Sequence, residues 1–577
     1  MAKIAIIDTK PSRTDYAKSF NHMFEADRYS LCSNPSIKKV LKKDVDIEFN
    51  PDEYDWIILV GADACKYYTK GVSVTDYSGK VVDEKFLPVI NPAMVSFKPE
   101  SLRLWEESRD SIIGYVTGVK KVKTYSLDKI YGITETDHLK KFLQDALDSP
   151  NSFIGLDSET TGLYPRNGYV LGISLSYERD HGAYISSDCI DEECSDLFQQ
   201  LFNKKTVIFH NAKFDLPFLS YHFGWVFPVY EDTMLLHYCI DENPGTHGLK
   251  QLALQYTDYG DYEQPMYEWI ADYLKRTGTK KEDFTFDLIP FDIIKIYAAI
   301  DSVVTFLIYL KLKPAVSKNS KLNAVYTGIL IPACTFLIQV QDNGVPFDLD
   351  RLVFAQKEMQ LSIDESVEEL YREPKIKEFE AAQGKSFNPG SVMQLRTLLF
   401  DYLGLQPTGK KTSTNADSTD AEVLLELAEQ HPVPQLILNI RQKSKIKNTY
   451  LDKIIPQLDK DSRLRTNFNI HGTTSGRLSS SGKLNMQQLP RDNPAVKGSI
   501  KASPGYKIVS VDLTTAEVYV VAVLSGDKEI IEIFKSGGDF HGAMAKKVFN
   551  LSCSVDEVKK LHPLLRQAAK AITFGIN

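Results

Sequence analysis

Cysteine is scarce in this 577-residue chain: the seven present (Cys32, Cys65, Cys189, Cys194, Cys239, Cys334, Cys553) are scattered and odd in number. They form no Cys-x-x-Cys pair and no Cys/His zinc spacing, which excludes a disulfide framework and a zinc ribbon and leaves reduced thiols as the expectation. No run approaches the roughly 18 apolar residues a membrane span needs, so no membrane partner is expected. The amino terminus, Met1-Ala-Lys-Ile-Ala-Ile-Ile-Asp8, is too short in its apolar part for a signal peptide and reads as a first β-strand. Internal repeats and low-complexity tracts are also lacking. These absences point to a cytoplasmic, soluble globular protein. The balance of 43% hydrophobic and 25% charged residues agrees with that class, and the length calls for three or four domains.

An excess of positive charge is lacking too: the net charge is −8, which alone argues against a nucleic-acid partner. The average conceals a reversal. Between Arg441 and Lys501 there are 13 Lys/Arg against four Asp and no Glu, a local balance of +9, which leaves −17 for the remainder. A basic stretch in an otherwise acidic chain suits a duplex-binding surface; a solvated, lysine-bearing helix face is the alternative.

Hydrophobic patterning divides the chain into parts and predicts an α/β multidomain protein. Residues 1–125 read as a small α/β module with strands at Ile4–Ile7 and Trp56–Val60; no chemistry is assigned to it, and a faint likeness to the uracil-glycosylase fold licenses no activity. Residues 126–320 alternate short apolar strands (Phe153–Leu156, Leu171–Leu175, Val207–Phe209) with helices, as in an α/β domain around a mixed sheet. Residues 321–465 are mostly helical, and 466–577 return to strand-then-helix units.

Three short segments carry carboxylates. In Phe153-Ile-Gly-Leu-Asp157-Ser-Glu159, an apolar strand ends in two acids that alternation places on one face, a geometry suited to a shared metal. Val207-Ile-Phe-His-Asn211-Ala-Lys-Phe214-Asp215 brings another carboxylate to the start of a helix. Tyr297-Ala-Ala-Ile-Asp301 sets a phenol and a carboxylate one helical turn apart. Each alone is more often a solvated pair, a cap or a surface hydrogen bond; it is their joint, ordered occurrence beside apolar runs that points to a site.

Together, Asp157/Glu159, Asp215 and Tyr297/Asp301 resemble the three motifs of the four-carboxylate proofreading 3′→5′ exonucleases, in the version with a tyrosine. The resemblance implies a ribonuclease H-like domain holding two divalent ions, Mg²⁺, about 3.5–4 Å apart around the scissile phosphate. It implies that Asp157 bridges both ions, Glu159 and Asp301 complete the shell, Asp215 holds the second ion through water and Tyr297 orients the nucleophile. Oxygen ligands fit a hard ion that keeps much of its water. Asn211 and Phe214 are open between exonuclease substrate contact and scaffold.

The later segments resemble the thumb, palm and fingers of family A DNA polymerases, and several follow the T-five-like bacteriophage members of that family in wording. Lys443, Lys445, Lys447 and Tyr450 resemble the thumb segment that grips duplex backbone, where positive side chains bind phosphates without reading sequence. Thr473-Thr-Ser-Gly-Arg477 and Asn485-Met-Gln487-Gln488-Leu-Pro-Arg491 form a polar, basic stretch, either a flexible loop or, by resemblance, the minor-groove contact in which Arg477 and Gln487 touch the terminal pair. Lys507-Ile-Val-Ser-Val-Asp512 reads as a strand ending on a buried aspartate. By resemblance Asp512 is a ligand of two polymerase metals and Glu517 excludes a ribose 2′-hydroxyl, although Thr514-x-x-Glu517 also fits a helix capping box. Asp539-Phe-His541 resembles a further motif, with His541 at the incoming triphosphate. Pro563 can open a helix on which Arg566, Lys570 and Phe574 share one stripe; the resemblance puts both cations on the phosphates and Phe574 under the nucleotide, with discrimination against dideoxynucleotides.

The resemblance further implies that a complete member continues beyond Phe574-Gly-Ile-Asn577 with the rest of the fingers and a second metal-binding aspartate. The expectation is therefore an exonuclease-competent polypeptide that binds single-stranded DNA and primer-template, and takes dNTPs once the missing part or a second polypeptide completes it, in the cytoplasm of an infected host if it is a phage protein. The alternatives are a nonenzymatic DNA-binding or assembly subunit of a split polymerase, and a trimming exonuclease with an unrelated carboxy-terminal half. The 5′-nuclease chemistry of nick translation is not implied by the first 125 residues.

Overall fold

The fold was analysed in a computed structural model that describes residues 2–576 except 12–18, 21, 38, 70, 99–100, 120–124, 261, 413–414, 483, 491–492 and 514. The chain forms two compact units, Met1–Ile500 and Lys501–Asn577.

The first unit begins with a parallel sheet in the order β2-β1-β3-β4, built from Ile4–Asp8 (β1), Asp27–Ser30 (β2), Trp56–Val60 (β3) and Phe86–Val89 (β4). Strands β1 and β4 are buried throughout, as the unbroken apolar runs of a parallel sheet require. Next comes a six-stranded mixed sheet in the order β10-β9-β6-β7-β8-β5. Its strands are Ile130–Ile133 (β5), Phe153–Thr160 (β6), Val170–Glu178 (β7), His181–Ser186 (β8), Thr206–Phe209 (β9) and Tyr230–Asp232 (β10). The centre of this sheet is β6, parallel to β9 and antiparallel to β7, with Asp157 opposite Ser174 and Glu159 opposite Gly172.

One 28-residue helix, Phe291–Lys318, lies across the sheet as its core helix. It comes unusually near. A Cβ on Gly155 of β6 would overlap the Ser302 carbonyl oxygen and stand 3.0 Å from Phe306 Cβ, and one on Gly182 of β8 would lie 2.6 Å from the Ala299 oxygen. Glycine at these two positions lets the helix backbone settle onto the strands. By length and hydropathy this helix and the stretch Ser320–Asn343 both meet the requirements of a membrane span, contrary to the reading of the sequence; the first is a core element, with 67% of its apolar window buried.

The helices Leu349–Arg372 and Pro432–Lys445 pack on each other, and a hydrophobic core including Leu370, Leu398, Leu424 and Ile437 fills that region. A separate core holds Phe347, Leu352, Leu451, Leu464 and Val496. The hairpin of Asn467–Asn469 with Ser479–Ser481 follows.

Within the second unit the regular elements among the described residues are helices: Ala516–Ser525, Lys528–Lys535, Phe540–Val548, Val555–Leu561 and Pro563–Ile576, with a small core of Ala545, Val558 and Ala569. The expected strand leading to Asp512 is not formed. Residues 507–513 carry no regular structure, with Val509 80%, Val511 86% and Leu513 77% exposed. A strand requires a neighbour to take its N–H and C=O groups, and no strand is present among the described residues of this unit. Asp512 is accordingly exposed rather than buried.

Candidate functional site

Strand alternation and helical pitch bring carboxylates from β6 and the core helix together. One ligand oxygen each of Asp157, Glu159 and Asp301 lie within 4.8 Å of one another, Asp157 half-buried and the other two buried. Asp215, on the first turn of the helix Ala212–Phe223, is also buried; it accepts from the Ser158 N–H at 3.0 Å and from Ser158 Oγ at 2.6 Å. Ser158 thus ties the second acidic segment to the first.

Like charges out of water raise one another's pKa. The Asp157 carboxyl is pushed well above the usual range, first by burial and then by Asp215, Asp301 and Glu159. Burial, followed by Asp301, lifts Glu159 to about 8. Burial lifts Asp215 to about 7 in spite of its bonds from Ser158. Burial and the Asp301 charge also drive the Tyr297 phenol well above its ordinary value, so it is held protonated. An all-oxygen, crowded and desolvated donor set fits a hard divalent cation such as Mg²⁺, which relieves this repulsion.

Two neighbours were not found from sequence. Lys250 pairs with Asp301, and Tyr262 donates to the same Asp301 oxygen while accepting from Lys250 at 2.8 Å. No local periodicity signals them, because they are separated from Asp301 by 51 and 39 residues.

Asn211 stands in a left-handed conformation (φ 69°, ψ 55°) at the amino end of the Ala212–Phe223 helix. With Phe214, Arg166, Lys213, Gln341 and Asn467 it lines a cavity of about 290 Å³. Lys213 bridges that cavity's walls, donating to Gln341 Oε1 at 2.8 Å and to Asn467 of the hairpin. Tyr238 donates to the Thr473 carbonyl at 2.6 Å.

The residues expected on duplex DNA are divided. Lys445, Arg477, Gln487 and Gln488 are exposed. Lys443 instead donates to Ser366 Oγ at 2.8 Å between helices, Lys447 pairs with Asp452 at 2.9 Å, and the buried Tyr450 donates to the Gln488 carbonyl at 2.8 Å. Asn485 caps a short turn through the Gln487 N–H, and Gln487 Nε2 donates to Leu478 O at 3.0 Å.

In the second unit, Arg566 forks onto Asp539 with bonds of 2.6 and 2.8 Å. His541 is buried with its ring 5.8 Å from Phe574, and Lys570 Nζ lies 6.0 Å from the Phe574 ring centre. Burial, with Arg566 and Lys570 next, lowers the His541 pKa. Glu517 lies in the first turn of Ala516–Ser525, whose amino end is Thr515, in a left-handed conformation and without a side-chain cap. The Thr514 half of the expected capping box, and Arg491, lie outside the described residues.

Comparison with known proteins matches two regions of the chain, whose bounds differ from those of the two compact units. A family model for 3′-5′ exonuclease matches residues 130–317, and one for DNA polymerase family A matches residues 356–577. The DNA polymerase of Escherichia phage T5 is 44% identical over the whole of this chain, which spans 70% of that relative. The chain belongs to the family A DNA polymerases. DNA polymerase I of Treponema pallidum is 28% identical over 77% of the chain, which covers 46% of that relative's length. The POL domain of Pol1 from M. smegmatis, solved in complex with DNA primer-template and dNTP, superposes with a TM-score of 0.59 over 77% of this chain and 71% of its own, at 23% identity, a likeness of fold. This family A member therefore carries an exonuclease domain followed by part of a polymerase domain.

Proposed function

We infer that the chain is a phage replicative polymerase polypeptide whose competent activity is 3′→5′ removal of nucleotides from DNA. The observation that carries this is the convergence of Asp157, Glu159 and Asp301 beside Asp215 and Tyr297. Asp157, Glu159 and Asp301 would hold Mg²⁺, with Asp215 supporting a second ion through water; bound there, Mg²⁺ supplies an activated water and neutralises charge at the scissile phosphate. Tyr297, held protonated, orients the nucleophile by donating a hydrogen bond. Asn211 and Phe214 contact the strand end from the cavity they line. The domain is read as ribonuclease H-like over residues 126–320, preceded by a module at 1–125 and followed by a thumb at 321–465 and a partial palm and fingers at 466–577.

On the polymerase side, Lys445, Arg477, Gln487 and Gln488 face duplex DNA, with Lys443, Lys447, Tyr450 and Asn485 shaping that surface from within. His541, Arg566, Lys570 and Phe574 receive the triphosphate and base of a dNTP; Glu517 excludes the 2′-hydroxyl. Polymerisation, with two Mg²⁺ ions at Asp512, requires further palm and fingers from a longer chain or a second polypeptide. The unpaired, apolar 507–513 segment and the exposed Leu524 (82%) support such an addition. They equally favour the second reading, a DNA-binding assembly subunit, which predicts that Asp157→Ala changes nothing measurable.

The test is digestion of a 5′-labelled single-stranded oligonucleotide with Mg²⁺ and with chelator, beside Asp157→Ala. Metal-dependent shortening from the 3′ end that the substitution abolishes is expected. A folded, metal-loaded protein that leaves the oligonucleotide intact rejects the exonuclease reading in favour of the assembly subunit.

A further inference from the structure

Four carboxylates converge on the exonuclease site, and Lys250 brings a positive charge into it. The Lys250 side chain, 28% exposed, is set at the start of the helix Leu249–Tyr256. Its ammonium pairs with Asp301 Oδ1, donates to the Tyr262 hydroxyl at 2.8 Å, and lies 4.3 Å from the Tyr297 ring centre and 4.5 Å from that of Tyr262. Its charge also opposes those of Asp157 and Glu159.

The Asp301 oxygen that faces Lys250 already takes two donors, the ammonium and the Tyr262 hydroxyl. A divalent ion drawing on Asp301 competes with that ammonium, since two cations sharing one buried oxygen repel each other. The faces of Tyr262 and Tyr297 offer the displaced ammonium a place to remain, because aromatic faces attract cations.

We propose that Lys250 is a tethered counter-ion: it holds Asp301 in the cluster while no divalent ion is bound and yields this carboxylate when one enters, so that it weakens the site's grip on metal. The inference rests on the exonuclease reading of the site. It assigns Lys250 a positioning role, acting through Asp301.

Mn²⁺ binding to the 577-residue chain, followed by the loss of the free-ion electron paramagnetic resonance signal, tests this. Asp157→Ala identifies the binding that belongs to this site; its absence in the wild type removes the exonuclease reading and the proposal together. With site binding present, Lys250→Met is expected to bind Mn²⁺ about tenfold more tightly and to melt at a lower temperature in chelator, while Lys250→Arg stays near wild type in both. Wild-type or weaker Mn²⁺ affinity in Lys250→Met overturns the proposal and leaves the exonuclease reading standing. Should Lys250→Met not fold, reductive methylation of the wild-type chain, read by peptide mass spectrometry, decides: Lys250 is expected to react several-fold faster with Mg²⁺ than with chelator, and an unchanged or slower reaction overturns the proposal.

Discussion

Replacing Gly155 by alanine probes whether the exonuclease site depends on how closely the core helix approaches its sheet. The added Cβ would stand 3.0 Å from Phe306 Cβ and 3.2 Å from Phe306 N, and overlap the Ser302 carbonyl oxygen. Comfortable separations between nonbonded carbon atoms are about 3.5–4.0 Å. Helix and strand must therefore part, and the obstructing atoms are largely backbone, which cannot rotate aside. Overpacking of this kind costs about 1–3 kcal/mol, or about 2–4 °C in melting temperature per kcal/mol for a domain of this size. Asp157 lies two residues along the same strand, and Asp301 is adjacent to Ser302 on the helix, so the separation opens the metal cluster itself. A displacement near 1 Å at a reacting centre costs on the order of 100-fold in rate. Oligonucleotide digestion and thermal melting, measured together on Gly155→Ala, should show both losses. Gly328→Ala, whose Cβ meets nothing within 4 Å, is the control. Wild-type digestion by a Gly155→Ala chain with an unshifted melting temperature would refute the close-approach argument.

Ser158→Ala removes one of the two hydrogen bonds that Asp215 receives from residue 158; a drop of about tenfold in digestion rate is expected, from a bond to a charged group worth about 1.5–3 kcal/mol. Burial raises the folded-state pKa of Asp215 to about 7 and of Glu159 to about 8, whereas unfolded carboxyls titrate near 4. Stability from these groups is thus full below about pH 4 and is lost as pH rises toward 8. Between pH 6.5 and 8 the buried His210, His247 and His471, lowered to about 3, about 4 and about 4, and Lys213, lowered to about 8, act in the opposite sense, because the unfolded chain holds more protons on them than the folded one. The carboxyl contribution is isolated by Glu159→Gln: in chelator the stability of this variant relative to wild type should rise across that window, by at most about 1.4 kcal/mol per pH unit for the one proton concerned; a difference that stays flat would contradict it. In the second unit, Arg566→Gln leaves Asp539 without its forked partner. A loss of about 1.5–3 kcal/mol there should appear as faster hydrogen exchange confined to residues 539–576.

Where a signal was local, the sequence could be read. Alternation put Asp157 and Glu159 on one face of β6, helical pitch joined Tyr297 to Asp301, and Pro563 opens its helix. Signals that depend on partners far along the chain were misread or missed. The alternation before Asp512 resembles a strand, but pairing is nonlocal and no partner strand is available among the described residues of its unit. Lys443 and Tyr450 were expected to face phosphates; the packing of Pro432–Lys445 against Leu349–Arg372 turns Lys443 toward Ser362 and Ser366, while Tyr450 sits in a hydrophobic core. Lys250 and Tyr262 are invisible to any local pattern, because only the fold sets them against Asp301. The apolar richness of Phe291–Lys318 likewise makes sense once a sheet is laid along it.

Lys213 and Tyr238 fasten the Asn467–Ser481 hairpin to the body that carries the exonuclease carboxylates, and the Phe468 N–H adds a bond of 2.8 Å to Gln341. If Arg477 monitors the last base pair of a primer, its loop is moored to the degrading centre's own scaffold. The interval between checking a strand end and trimming it then becomes a fixed gauge. A frayed end must travel that distance by melting a set number of base pairs, so the stability of the terminal duplex, rather than a swing of the protein, would meter how often a correctly paired end is lost.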